Sequence, residues 1–134
     1  MILADTSAWV EFDRATGTPI DHSLTEMIRS GGTELACTEP VLMEVLAGAR
    51  DGRRHDELRR LLVSFAWLPA DPAADFEGAA KIYRACRDVG LTPSGLIDCM
   101  IATIAIRTGA CLLTADRDFT AMATIVPLRL AETA

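Results

Sequence analysis

The chain has 134 residues, half of them hydrophobic and 24% charged, with a formal net charge of −6. That length supports one domain with a real core, the apolar fraction excludes a disordered chain, and the acidic balance excludes a simple basic nucleic-acid binder. The charge changes meaning if carboxylates are masked by divalent cations, since setting four aside leaves about −2.

Residues 1–4 form a short apolar run that reads as a buried strand. Asp5-Thr6-Ser7 then caps a helix through Trp9, Val10 and Phe12. Thr16-Gly17-Thr18-Pro19 is a turn, and Pro19 starts a second helix that reaches about Ser30 before Gly31-Gly32 breaks it. Residues 34–37 are a second strand. Thr38-Glu39-Pro40 is a helix start, with Thr38 as cap and an acid at the positive end of the dipole. That helix runs from Val41 to Gly48 and carries one carboxylate, Glu44, in an apolar run.

Residues 50–65 predict a charged helix with Leu58, Leu61, Leu62 and Phe65 as its apolar stripe. Trp67-Leu68-Pro69 reads as a third strand. Asp71-Pro72 opens a long helix to about Val89, stopped by Gly90. Residues 94–106 are nearly all apolar, which predicts a buried helix started by Pro93-Ser94. The segment is too short for a membrane, which needs about 20 residues. It carries Asp98, a charge that needs a cation, a proton or a metal as partner. Gly109 ends the helix, Cys111-Leu112-Leu113 is a buried strand leading into residues 114–119, and residues 125–128 predict a last short strand. Strands alternating with helices indicate a three-layer α/β/α sandwich with a mainly parallel sheet. With no repeat, linker or low-complexity segment, residues 1–134 read as a single domain.

Cys37, Cys86, Cys99 and Cys111 form no C-x-x-C pair and read as core thiols in a reducing compartment. The N-terminus has no basic region or long apolar run of a signal peptide, which predicts a cytoplasmic protein. Most of the 19 acids lie in polar company, such as Asp51, Asp56, Glu57 and Asp88. Four do not: Asp5 and Asp116 follow apolar strands, and Glu44 and Asp98 interrupt apolar helices. Ligand sites of open α/β sheets lie beyond the carboxyl ends of the strands, so these four can meet in one cleft. An oxygen-only ligand set suits Mg²⁺ or Mn²⁺. The competing reading makes each acid a cap or an isolated ion pair. Glu11 belongs to the polar side of the first helix.

His22 and His55 stand in polar surroundings as surface residues. No nucleophile elbow, phosphate loop or dinucleotide fingerprint is present. Metal-assisted chemistry on a phosphate ester needs only carboxylates. Arg50, Arg53 and Arg54 are either RNA contacts or a solvated helix face.

With these residues in view, the chain resembles the PIN-domain ribonucleases, most closely the VapC-type toxins of bacterial toxin–antitoxin pairs. Four pieces carry the resemblance, in order: Ile2-Leu3-Ala4-Asp5-Thr6-Ser7-Ala8-Trp9, Pro40-Val41-Leu42-Met43-Glu44-Val45-Leu46-Ala47-Gly48, Ser94-Gly95-Leu96-Ile97-Asp98-Cys99-Met100-Ile101-Ala102 and Leu113-Thr114-Ala115-Asp116-Arg117-Asp118-Phe119. The resemblance implies a Mg²⁺-dependent endoribonuclease (Mn²⁺ also suits it) with site acids Asp5, Glu44, Asp98 and Asp116. Asp118 is an added ligand or supporting group, and Ser7 and Thr114 are hydroxyls near the metal. It also implies an RNA substrate (structured RNA such as tRNA), a homodimer, and a VapB-type antitoxin whose C-terminal segment blocks the cleft. Gly95 and Cys99 depart from the aliphatic residues common beside the third acid, a difference of packing. Two other readings stand beside it. A receiver-like phosphoacceptor domain would want two acids near the first strand and a lysine past a late one. A protein-binding module would use Trp9, Phe12, Leu61, Leu62 and Phe65 as its face.

Overall fold

The computed structural model describes residues 1–93 and 95–133. Among them four short strands, β1 (Ile2–Ala4), β2 (Leu35–Cys37), β3 (Ala66–Trp67) and β4 (Cys111–Leu113), form one parallel sheet in the order β3-β2-β1-β4. The apolar runs at β1, β2 and β4 suit such a sheet, because parallel strands covered by helices are buried on both faces. Leu3 and Ala4 of β1, all of β2, and Leu112 and Leu113 of β4 are buried. Register pairs Leu3 with Ala36 on one side and with Leu112 on the other.

Among the described residues seven helices flank the sheet: α1 (Thr6–Asp13), α2 (Pro19–Arg29), α3 (Glu39–Ala47), α4 (Gly52–Val63), α5 (Pro72–Asp88), α6 (Leu96–Thr108) and α7 (Arg117–Met122). The resulting α/β/α sandwich is the architecture the alternation of elements predicts. From β1 the chain winds outward to β2 and β3, then returns to place β4 on the other side of β1. That reversal makes the carboxyl ends of β1 and β4 the switch point of the sheet, where open α/β folds bind ligands.

Local signals set most boundaries. Asp5, Thr18, Asp51, Asp71 and Asp116 each cap a helix by accepting a backbone N–H. Gly109 ends α6 at φ +73, and Gly90, one residue beyond the Val89 cap of α5, sits at φ +82. These left-handed backbones favour glycine.

Four expectations need correction. Thr38 occupies the N-cap of α3 but makes no side-chain cap bond, and its buried hydroxyl has no partner among the described residues. Pro40 at the second helical position has no N–H to offer it, which removes one of the two donors an N-cap uses. The expected strand at 125–128 is a turn, with the amides of Ile125 and Val126 bonded to the Met122 carbonyl. Pro127 cannot donate to a ladder, and the sheet edge is met instead by Leu130, bridged to Leu112. Residues 117–122 form α7, for which the sequence reading had no helix. Finally, α6 starts at Leu96 with Gly95 as its N-cap, and it is not buried all round, since Leu96 is exposed. The expected cap Ser94 lies outside the described residues.

Trp9, at the centre of the core, stacks on Phe65 at 5.8 Å and meets Phe12 edge-on at 5.5 Å. With Trp9 and Leu62 fully buried, the stripe Trp9-Phe12-Leu61-Leu62-Phe65 belongs to the core cluster and is no free interaction face. The four cysteines are free thiols, three of them buried. No helix among the described residues is long and apolar enough to cross a membrane.

Candidate active site

Asp5 leaves β1 and becomes the N-cap of α1, so the strand end and the helix start fix its side chain together. Its backbone N–H bonds to the Leu113 carbonyl at 3.0 Å, which ties it to the end of β4. Its Oδ1 accepts from the Ala8 amide at 2.9 Å and the Ser7 hydroxyl at 2.7 Å, and its Oδ2 accepts from the Thr114 hydroxyl at 2.6 Å. Asp5 is only 2% exposed. Burial drives its carboxyl up, the bonds from Thr114, Ala8 and Ser7 pull it back, and the neighbouring charge of Asp98 raises it again, leaving it at about 6.

Ser7 and Thr114 clamp the two loops. The Ala115 amide donates to Ser7 Oγ at 2.9 Å, the Asp116 amide donates to Thr114 Oγ1 at 3.0 Å, and the two hydroxyls lie 3.2 Å apart. Asp116 in turn caps α7, with its Oδ1 accepting from the Asp118 amide at 2.9 Å. Glu44 is half-buried on α3, and its Oε1 accepts from the Thr6 hydroxyl at 2.6 Å. Asp98 is the third residue of α6 and half-buried.

Of the expected acids, then, Asp5 and Asp98 are close enough for their charges to interact. Asp116 is joined to Asp5 through Thr114, and Glu44 through the residue next to Asp5. Asp118 contributes its amide to Asp116, while its side chain lines a small cavity with Cys86, Leu91 and Thr92. No three His, Cys, Asp or Glu side chains among the described residues stand ready to enclose a metal ion. Asp5 and Asp98 thus stand together, whereas Glu44 and Asp116 are tied to the Asp5 end only through the Thr6 and Thr114 hydroxyls.

Two buried acids escaped the sequence reading. Asp75 is fully buried and takes a paired contact from Arg107, Nε at 2.9 Å to Oδ1 and Nη2 at 2.8 Å to Oδ2. Its Oδ2 also accepts from the Asp71 amide at 2.7 Å. Burial alone would raise Asp75, but the Arg107 and Asp71 donors and the Arg107 charge outweigh it and hold the carboxyl below its ordinary value. Asp21 is likewise buried, accepting from the Gly17 amide at 2.9 Å and the Thr25 hydroxyl. Both stand in the first turn of a helix, where an acid looks like ordinary dipole compensation. An arginine 32 positions away leaves no local signal.

Around the site, Arg54 pairs with Asp13 and, at 3.6 Å, with Glu57, whereas Arg53 is 90% exposed beside Glu57. Lys81 is exposed on α5, not past a late strand, so the lysine that a phosphoacceptor domain requires is not supplied. His22 is exposed, and His55 meets Asp56 on the surface of α4.

Comparison with known proteins places the chain in a family. The family model described as PIN domain matches residues 2–125. The chain is 44% identical over 131 residues, 98% of each protein, to "VapC ribonuclease Mb1587" of Mycobacterium bovis, and equally to "Ribonuclease VapC11" of Mycobacterium tuberculosis. Among solved structures, VapBC2 from Rickettsia felis, bound to a DNA fragment from its promoter, superposes with a TM-score of 0.75 at 19% identity, covering 98% of both chains. That last likeness is one of fold.

Proposed function

This chain belongs to the PIN-domain family, among the VapC ribonucleases, and from that premise we propose that it is a divalent-metal-dependent endoribonuclease, the toxin of a VapBC toxin–antitoxin pair. The observation that carries the reading is Asp5. It is buried at the switch point of the sheet, surrounded by neutral donors, next to a second carboxylate, and no basic side chain among the described residues is bonded to it. A site like that is unfavourable at neutral pH until a positive charge arrives from outside.

The donor chemistry fits the group. Carboxylate and hydroxyl oxygens suit a hard cation such as Mg²⁺ or Mn²⁺ far better than a soft one. Asp5, Glu44, Asp98 and Asp116 are the residues that would hold it, with Asp118 in support. When bound, such an ion supplies Lewis acidity, lowering the pKa of water and offsetting negative charge at the scissile phosphodiester.

The remaining work falls to the protein. Ser7 and Thr114 fix the Asp5 carboxylate by both oxygens, so that it meets its ligand in one orientation. The Asp118 amide and the α7 N-terminus orient Asp116. No histidine is needed as base. Exposed Arg50 and Arg53 beside α3 are available to phosphates of an RNA chain, while Arg54 is committed to Asp13 and Glu57. Cleavage by attack of water on phosphorus would leave 5′-phosphate and 3′-hydroxyl ends. The same family reading brings a VapB-type antitoxin and a homodimer, and a structured RNA such as tRNA as substrate.

The test is incubation of purified protein with total RNA, with and without Mg²⁺, followed by sequencing of new 5′ ends. Discrete Mg²⁺-dependent cuts are expected. Cleavage unaffected by removing divalent ions, or no cleavage in either condition, would reject the reading.

A further inference from the structure

Helix α1 begins at Thr6, and the residues at its i, i+3, i+4 and i+7 positions are Thr6, Trp9, Val10 and Asp13, which share one face. That face packs on α3, which answers with Glu44, Val45 and Gly48. Thr6 therefore stands at the end of the α1–α3 seam nearest Asp5, and there its hydroxyl reaches the Glu44 carboxylate at 2.6 Å. This is the only hydrogen bond to the Glu44 side chain among the described residues.

We propose that Thr6 is a positioning residue whose hydroxyl, by holding Glu44 Oε1, fixes the orientation in which the Glu44 carboxylate would help hold a divalent ion. The proposal rests on the metal-dependent reading above and deepens it. Glutamate has three side-chain torsions to fix, and a carboxylate on a half-exposed helix face samples several rotamers unless something holds it. Glu44 also borders a small cavity with Trp9, Val10 and Asp13. A like charge waits there, already claimed by Arg54. Threonine suits the task because β-branching restricts its χ1, which leaves the hydroxyl few directions to point. The tripeptide Asp5-Thr6-Ser7 then serves all sides of the site from one helix start. Asp5 provides the central carboxylate, Thr6 aims Glu44, and Ser7 links Asp5 to the Asp116 loop.

The experiment measures Mn²⁺ affinity by titration calorimetry, without RNA, on wild type, Thr6→Val, Thr6→Ser, Glu44→Gln and the Thr6→Val/Glu44→Gln double variant. Outer partners of metal ligands typically matter about 10- to 100-fold in affinity, so Thr6→Val should weaken binding roughly tenfold. Thr6→Ser, which keeps the donor, should stay within about threefold. Once Glu44→Gln is present, Thr6→Val should add nothing further, a non-additivity that a merely structural role would not produce. Thermal melts of each variant confirm folding, and Thr6→Ala replaces Thr6→Val if valine prevents it. Wild-type affinity in Thr6→Val, or full additivity with Glu44→Gln, would overturn the proposal while leaving the metal reading intact. A wild-type chain that binds no Mn²⁺ would overturn both.

Discussion

Asp5 and Asp75 are the two most deeply buried aspartates among the described residues, and they are treated in opposite ways. Asp75, fully buried between α5 and α6, has both oxygens matched by the Arg107 guanidinium and sits below its ordinary pKa. Asp5, 2% exposed at the end of β1, has only hydroxyl and amide donors and a second acid nearby, and sits at about 6. A buried charge needs compensation. At Asp75 the sequence supplies it from within, and the pair fastens α5 to α6. At Asp5 no basic side chain among the described residues plays that part, and in the function proposed above the place is taken by a cation from solution.

The largest expected effect is on activity at the Asp5 end. Asp98→Asn should reduce Mg²⁺-dependent RNA cleavage by about 10³-fold, or roughly 4 kcal/mol of transition-state stabilisation, with an unchanged circular dichroism spectrum. In the absence of metal the same variant should melt no lower than wild type, because it removes a repulsive charge. Near-normal cleavage by Asp98→Asn would dissolve the distinction between the two regions.

Next is the Asp75 end. Breaking a buried pair costs about 3–5 kcal/mol, and since about a third of the Arg107 side chain is exposed, Arg107→Ala should cost roughly 3 kcal/mol in urea unfolding. Mn²⁺ binding should be untouched. A variant that kept its stability but lost metal would reverse the roles of the two aspartates.

The third test uses pH. Asp5 rises from 3.8 to about 6 on folding. Below the unfolded value both states hold the proton and nothing is lost. As pH climbs toward 6 the unfolded chain ionises first, so the folded state loses stability, by about 3 kcal/mol once pH exceeds the folded value. Asp75 runs the other way, contributing stability above the ordinary carboxylate range that is lost as pH falls through its depressed value. Without divalent ions the melting temperature should therefore fall between about pH 4 and pH 6 and level off above, and Asp5→Asn should flatten that slope. A slope unchanged in Asp5→Asn would place the effect elsewhere.

The frame of the site was legible in the sequence because its signals are local. An apolar run ending in Asp5-Thr6-Ser7 announces a strand end and a helix cap at once, and Gly109 marks the end of α6 by itself. What escaped depends on pairs far apart in the chain. Thr6 and Glu44 are 38 positions apart and Asp75 and Arg107 are 32 apart, and neither pair has a periodic pattern. Helix α7 escaped because six residues are too few for periodicity to register. The false strand at 125–128 had the right apolar residues and the wrong proline. Thr38 looked like a cap by type, yet the proline two positions on leaves it one fewer amide to receive.

The smallest effect concerns the rim. Replacing Arg50 and Arg53 together by alanine should weaken RNA binding a few-fold and lower the salt slope by roughly one to two units, at about 0.7 per phosphate contact on single strands. An unchanged slope would make them a solvated face.

The central claim is most directly tested by melting the protein at pH 7.5 across a Mn²⁺ titration. A ligand that binds only the folded state raises stability by RT ln(1 + [L]/Kd). Wild type should climb steadily with Mn²⁺, Arg107→Ala should climb in parallel from a lower start, and Asp5→Asn and Asp98→Asn should stay flat. A wild-type melting temperature indifferent to Mn²⁺, or one that rises equally in all four proteins, would contradict the account.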